Sequence, residues 1–96
     1  MLNKYVIIRT YSAGVHAGIL TTVENDVVTL KDARRIWHWE GASTLSELAI
    51  HGTSNPENCK FPCEVDEIKL FNVIEIIPCS EKAIKSIKNV EVWSTH

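Results

Sequence analysis

Residues 15–30 read VHAGILTTVENDVVTL and predict a β-hairpin. The first strand covers residues 15–23, where β-branched and apolar types suit a pleated, half-buried surface. Asn25 and Asp26 then form a turn signal, since both tolerate the left-handed backbone conformation. Residues 27–30 resume the β pattern, so the segment predicts two strands that pair with each other.

Further strands are predicted on both sides of this hairpin. Residues 4–11 form a first strand whose alternate side chains face opposite sides of a sheet. Residues 33–39 read as a fourth strand. Residues 64–70 and 72–77 read as two more, in an arrangement typical of a second hairpin.

Two short helices complete the predicted architecture. Residues 44–47, TLSE, have the spacing of a capping box and predict a helix over 44–51. Ser80 can cap a second helix over 81–89. The predicted class is therefore α+β: a small antiparallel β-sheet or open barrel with two short helices, in a single domain over residues 1–96.

The composition narrows the range of possible functions. With 96 residues, 45% hydrophobic and 23% charged, the chain is neither a disordered tail, a collagen-like repeat nor a coiled coil. A net charge of −2 gives no basic field for holding duplex nucleic acid through its phosphates. So small a body leaves little interior for a ligand cavity of ~300 Å³. We therefore expect a ligand to bind in a surface groove or between copies of the chain.

Neither a membrane segment nor a metal site is predicted. The first residues show no signal-peptide pattern, and no apolar run approaches the ~20 residues that span a bilayer. Three cysteines, an odd number, are expected to stay reduced in a cytosolic protein. Cys59, Cys63, Cys79 and His51 are the candidate zinc ligands, but their spacing is looser than that of a zinc knuckle. We predict no metal and no cofactor.

The strongest candidate for a binding site is residues 32–39, DARRIWHW. On a strand, Arg35, Trp37 and Trp39 would share one face. A guanidinium beside aromatic rings can pair with a phosphate while the rings stack on a nucleobase. Arg34 would add a second positive charge. In the alternative interpretation, a tryptophan belongs to the core and the arginines pair with nearby carboxylates.

A second candidate is residues 9–14, RTYSAG. Arg9 offers a guanidinium, and Thr10, Tyr11 and Ser12 offer hydroxyls at the end of a strand, where ligand-contacting groups often lie. The segment lacks the glycine spacing of a phosphate-binding loop. The structural alternative is a turn that needs a flexible backbone, with the arginine lying along the sheet.

Groups suited to catalysis are few. His16, His38 and His51 could act as bases and Cys59 as a nucleophile, but no spacing links them. We therefore predict that the protein is not an enzyme.

Several blocks of the chain resemble one known family. They are residues 5–18 (YVIIRTYSAGVHAG), 30–39 (LKDARRIWHW), 41–46 (GASTLS), 58–62 (NCKFP) and 73–77 (VIEII). The family consists of small phage and prophage proteins catalogued as a domain of unknown function. The resemblance covers nearly the whole chain. It implies a phage origin and a place in the host-cell cytoplasm, without assigning an activity.

A phage origin favours one kind of function by analogy. Small phage proteins include inhibitors of host defence, among them oligomeric sponges that sequester nucleotide immune signals. We expect a homo-oligomer that binds a nucleotide-like small ligand without reacting with it, the arginines contacting phosphates and a tryptophan stacking on the base. The ligand-binding residues predicted on this basis are Arg9, Thr10, Tyr11, Ser12, Arg34, Arg35, Trp37 and Trp39. The alternative is a protein-binding inhibitor or accessory factor that docks through the same patch, since Trp and Arg are frequent interface anchors.

Overall fold

Five β-strands and two α-helices build the fold, in a computed structural model that describes residues 1–94. In chain order they are β1 (Tyr5–Thr10), β2 (Val15–Glu24), β3 (Val27–Arg35), α1 (Leu45–His51), β4 (Val65–Leu70), β5 (Val73–Pro78) and α2 (Glu81–Asn89). One turn of 3₁₀-helix, Pro56–Asn58, lies between α1 and β4. The predicted α+β class is confirmed. Within the described residues, no helix has both the length and the apolar character needed to cross a membrane.

The sheet is antiparallel, with strand order β4-β3-β2-β1-β5. Its two edge strands are nevertheless consecutive in the chain, joined by Phe71 and Asn72 alone. At this corner the Val73 N–H donates to the Asp26 carbonyl over 2.9 Å. Because two residues span so short a distance, the sheet curls until its edges approach each other at this end. The predicted second hairpin is wrong, since β4 pairs with β3 and β5 pairs with β1.

Buried side chains form two cores, one on each face of the curled sheet. The inner core takes residues from the strands alone: Val6, Ile8, Leu20, Val28, Leu30, Ala33 and Leu70. The outer core joins Tyr5 and Ile7 of β1 to Leu48 of α1 and Ile87 of α2, around the buried ring of Phe61. The alternation predicted for β1 is confirmed, and both of its faces are buried.

The predicted fourth strand is wrong in its boundaries. β3 continues without a break to Arg35, so residues 33–35 belong to it, and the chain then leaves the sheet. The next four residues keep one backbone bridge, between His38 and Lys60. This bridge holds the tryptophan-bearing segment against the loop that follows α1.

A β-bulge in β3 reverses the faces that its last residues present. Between the pairs Ala17↔Arg34 and Ile19↔Lys31, β3 has two residues and β2 has only Gly18. Asp32 takes up the extra residue with a φ of 51°, in the left-handed region that aspartate tolerates. A Cβ on Gly18 would lie 3.0 Å from the Lys31 carbonyl oxygen, so glycine is needed opposite the bulge. As a result, Arg34 points to the outer core rather than to the inner one.

The helix boundaries follow the predicted caps. Thr44 Oγ1 accepts from the Glu47 N–H over 3.1 Å, and Gly52 ends α1 with a φ of 73°. Glu47 returns its carboxylate to the Ser43 hydroxyl at 3.0 Å, one residue earlier than a capping box requires. Ser80 caps α2 through the Ala83 N–H at 3.0 Å. The two helices then pack on each other, and α1 packs on β1 and β5.

Candidate functional site

A surface groove of about 310 Å³ unites two of the predicted segments. Its walls come from the β1–β2 turn and from the chain just after β3. The lining residues are Ser12, Ala13, Gly14, Val15, Arg35, Ile36, Trp37 and Trp39, which we call the tryptophan groove. The convergence of Ser12, Arg35, Trp37 and Trp39 follows from the pairing of β1 with β2 and of β2 with β3.

Arg35 lines the groove, and its guanidinium can still contact an anion. Its Nη1 donates to the Ala13 carbonyl over 2.9 Å, which fixes the guanidinium against the β1–β2 turn. Within residues 1–94 the Arg35 side chain makes this one hydrogen bond. The N–H groups of Nε and Nη2 therefore remain to donate to an anion. A guanidinium anchored by one N–H is well placed to offer two others to a phosphate.

The two tryptophans of the groove differ in exposure. Trp37 is 64% exposed, and its backbone N–H donates to the Lys60 carbonyl at 3.1 Å. Trp39 is half-buried against the outer core, and its indole Nε1 donates to the Ala42 carbonyl at 3.1 Å. Trp37 is therefore the free aromatic surface, while Trp39 serves partly as structure, as the alternative interpretation held for one tryptophan.

The phosphate-binding role predicted for Arg34 is wrong. This side chain is 4% exposed and lies under α2. Nε donates to the Pro62 carbonyl at 2.9 Å, Nη1 to the Ile87 carbonyl at 2.9 Å and Nη2 to the Phe61 carbonyl at 3.0 Å. Every nitrogen of the guanidinium is thus occupied by backbone, and no ligand can reach it.

Of the three hydroxyl-bearing residues predicted to contact the ligand, Thr10, Tyr11 and Ser12, only one lines the tryptophan groove. Thr10 is buried, and its Oγ1 donates to the Gly14 carbonyl at 2.9 Å and accepts from the Ala13 N–H at 2.8 Å. This hydroxyl shapes the β1–β2 turn, so its predicted contact with a ligand is wrong. Tyr11 is fully exposed on the turn but lies outside the groove lining. Ser12 alone of the three lines the groove.

Arg9 lies on the outer face of the sheet, in an adjoining groove. Its Nε donates to Oε1 of Glu75 over 3.1 Å, across the β1–β5 pair. A groove of about 290 Å³, which we call the salt-bridge groove, is lined by Arg9, Trp39, Thr44, Leu45, Ser46 and Glu75. Trp39 lines both grooves. Glu75 was missed from the sequence because its partner is 66 residues away.

His16 supports the tryptophan groove from beneath. It is 1% exposed, and because a carbonyl only accepts, its Nε2 donates to the Ala13 oxygen at 2.9 Å. The Ala13 carbonyl therefore holds both His16 and Arg35. Burial lowers the pKa of His16 below its ordinary 6.5, and the nearby Arg35 charge lowers it too, against the opposing hydrogen bond to Ala13.

This burial predicts acid sensitivity of the fold. Between pH 6.5 and the lower pKa of the folded state, the unfolded chain binds a proton at His16 and the folded chain does not, so the free energy of unfolding decreases as the pH falls through this range. The slope contributed by this one group is at most about 1.4 kcal/mol per pH unit, the limit for a difference of one bound proton. Urea unfolding between pH 7.5 and 5.5 measures it. The variant His16→Gln should lose this slope, whereas His51→Gln, on the exposed end of α1, should keep it. An unchanged slope in His16→Gln would contradict this assignment.

The cysteines form no metal site within the described residues, where no cluster of three or more His, Cys, Asp or Glu side chains could hold an ion. All three are free thiols. Cys59 is buried, with its Sγ 3.5 Å from the Glu40 carbonyl oxygen. Burial raises the pKa of the Cys79 thiol to about 12. A thiol held protonated in this way is a poor nucleophile.

Fold and site together define a class: a small α+β domain whose curled antiparallel sheet carries an arginine–tryptophan groove on its surface. The family described as Domain of unknown function (DUF6948) matches residues 3–87, and the chain belongs to it. Neither the curated proteins nor the solved structures yield a match. The resemblance to a domain of unknown function is confirmed at this level, and the phage origin stays a prediction.

Proposed function

We propose that this protein binds a nucleotide-like small ligand in the tryptophan groove and sequesters it unchanged. The observation that carries the proposal is the exposed indole of Trp37 beside the anchored guanidinium of Arg35, above the polar turn at Ser12. An aromatic ring next to a guanidinium offers the two contacts that a nucleotide requires, stacking for the base and paired N–H groups for a phosphate.

Three contacts would hold the ligand. The base stacks on Trp37, a contact worth about 1–3 kcal/mol per base. The phosphate accepts from Nε and Nη2 of Arg35, since Nη1 is engaged by the Ala13 carbonyl. The Ser12 hydroxyl, exposed on the rim, adds a hydrogen bond. Because the groove is open to solvent, most of the affinity should come from stacking and charge rather than from enclosure.

The groove lining favours sequestration over turnover. Its eight residues include neither a carboxylate nor a histidine, and His16 beneath it is buried and engaged by the Ala13 carbonyl. General acid–base catalysis needs such a group within hydrogen-bond reach of the substrate. In the biological setting that we propose, a phage-encoded homo-oligomer in the host cytoplasm removes a nucleotide immune signal and so blunts host defence.

Replacing Trp37 with alanine should weaken nucleotide binding by about 1–3 kcal/mol, or roughly 5- to 150-fold in Kd, because the stacking surface is removed. The exposed indole contributes little to the core, so the thermal midpoint should stay within a few degrees of that of the parent protein. Calorimetric titration with a panel of cyclic and linear nucleotides measures the first effect. Native mass spectrometry with the same panel shows whether the ligand is released unaltered and how many copies assemble.

A matched control comes from the third tryptophan. Trp93 packs near Lys60, with the Lys60 ammonium 5.6 Å from its ring centroid, and lies outside both grooves. Trp93→Ala should leave nucleotide affinity unchanged. If Trp37→Ala unfolds the protein, or if no nucleotide binds the parent chain, the proposal is overturned.

Docking on a protein is the second candidate, and one observation favours it. Tyr11 is exposed on the turn that also carries Ser12, so an aromatic side chain extends the patch beyond the groove. Aromatic and arginine side chains are the commonest interface anchors. This function predicts a partner chain that co-purifies with the parent protein and is lost in both Trp37→Ala and Tyr11→Ala. The nucleotide-binding function predicts that Tyr11→Ala changes little.

A further inference from the structure

The Arg9–Glu75 pair is not arranged as a phosphate site. The carboxylate lies 3.1 Å from the guanidinium, and both side chains are about half-exposed, so the pair presents no net positive charge. A phosphate approaching Arg9 would also approach the negative oxygens of Glu75. The pair instead presents guanidinium donors and carboxylate acceptors side by side, next to the Trp39 indole.

We propose that the salt-bridge groove is a second subsite, which selects a guanine base, so that the full ligand is a dinucleotide. This inference rests on the proposed function, because Trp39 lines both grooves, so the proposed base site at Trp37 and the salt-bridge groove adjoin at that ring.

The hydrogen-bonding order of the pair matches guanine. Arg9 Nε donates to Glu75 Oε1 over 3.1 Å, so a base lying across the pair meets guanidinium donors on one side and a carboxylate with two acceptor oxygens on the other. The Watson–Crick edge of guanine presents O6, N1–H and N2–H₂, an acceptor followed by two donors. A carboxylate has enough lone pairs for Oε1 to accept from Arg9 and from a base together. The Trp39 ring in the same groove supplies an aromatic wall for the base.

Adenine fits the same pair poorly. Its corresponding edge presents the N6–H₂ donor to the guanidinium and the N1 acceptor to the carboxylate. Donor would then face donor, and acceptor would face acceptor. Adenine therefore makes none of the hydrogen bonds that guanine makes with the pair, so the pair should favour guanine.

The test is calorimetric titration of the full chain with linear diguanylate and linear diadenylate. Diguanylate should bind at least about tenfold more tightly, which corresponds to about 1.4 kcal/mol. Glu75→Gln should reduce this preference to less than about threefold, because an amide replaces one of the two acceptor oxygens with a donor. Glu67→Gln, an exposed carboxylate on β4 at the other edge of the sheet, should keep the preference.

A second measurement uses the parent chain alone and so does not depend on a variant folding. A dinucleotide of hypoxanthine keeps O6 and N1–H but lacks the 2-amino group, and it should bind with an affinity between those of the other two ligands. Equal affinity for all three dinucleotides, or a preference that survives in Glu75→Gln, overturns the guanine subsite. If mononucleotides bind through Trp37 and dinucleotides bind no better, the subsite fails while the proposed function stands. If no nucleotide binds, the proposed function itself fails.

Discussion

Replacing Arg34 with methionine should lower the free energy of unfolding by about 3–5 kcal/mol, an effect at the upper end of single substitutions. The reason is that three hydrogen bonds from a charged guanidinium, to the carbonyls of Phe61, Pro62 and Ile87, would be lost at once. Phe61 would still accept from the Trp93 N–H and Ile87 from the Val90 N–H, whereas the Pro62 carbonyl would lose the Arg34 donor. A hydrogen bond made by a charged group contributes roughly 1.5–3 kcal/mol. Methionine keeps much of the aliphatic volume, so the loss reports the hydrogen bonds rather than a cavity. Urea unfolding followed by circular dichroism measures it.

The neighbouring arginine is the control. Arg35→Met removes one hydrogen bond at the rim of the groove and should cost less than about 1 kcal/mol. The two variants should also differ in function. Arg35→Met should fold and lose nucleotide affinity, whereas the folded fraction of Arg34→Met should keep it. Equal stability of the two variants would contradict the structural role given to Arg34.

Phe61→Ala should cost about 3–5 kcal/mol, because a fully buried ring is removed from the outer core and the surroundings relax only in part. Phe61 is 0% exposed and lies among residues from β1, α1 and α2. Its ring also lies beneath the Arg34 guanidinium, 5.5 Å from centroid to Cζ. The thermal midpoint should drop steeply, by an amount that differential scanning calorimetry can resolve.

The other phenylalanine gives a matched comparison. Phe71 is 57% exposed on the two-residue link between β4 and β5, so Phe71→Ala should change stability by less than about 1 kcal/mol. Arg34 and Phe61 touch, so the double variant should lose less than the sum of the two single losses. Additive losses would show that the two side chains stabilise the fold independently, and they would contradict a stabilising contact between Arg34 and Phe61.

Arg34 and Arg35, although adjacent in sequence, have different roles: Arg34 is structural, and Arg35 belongs to the proposed binding site. One guanidinium closes the loop after α1 and the C-terminal end of α2 onto the sheet, while its neighbour in sequence faces the groove. The bulge at Asp32 sets which arginine takes which role, since it decides the face on which each side chain leaves β3. The stability of the fold therefore depends on Arg34, and the proposed binding site depends on the adjacent Arg35.

Several features could be predicted because their physical cause is local. The Asn25–Asp26 turn forms where Asn25 adopts a φ of 56°, which its short polar side chain tolerates. Thr44 and Ser80 cap the helices through amides only three residues away. The alternation in β1 needs only the two-residue period of a strand. Those local signals were sufficient for the α+β class.

The remaining features depend on contacts between distant parts of the chain. The neighbouring sequence does not distinguish Arg34 from Arg35; only the carbonyls of Phe61 and Ile87, far along the chain, make Arg34 the buried one. In the same way, Trp39 differs from Trp37 only because it packs against the outer core. Local β propensity equally could not show that β4 and β5 pair with different strands. The Arg9–Glu75 pair exists only because β5 lies beside β1. Local backbone preferences act over a few residues and so can be read along the chain, whereas burial and pairing are set by whichever distant segments the folded sheet brings together.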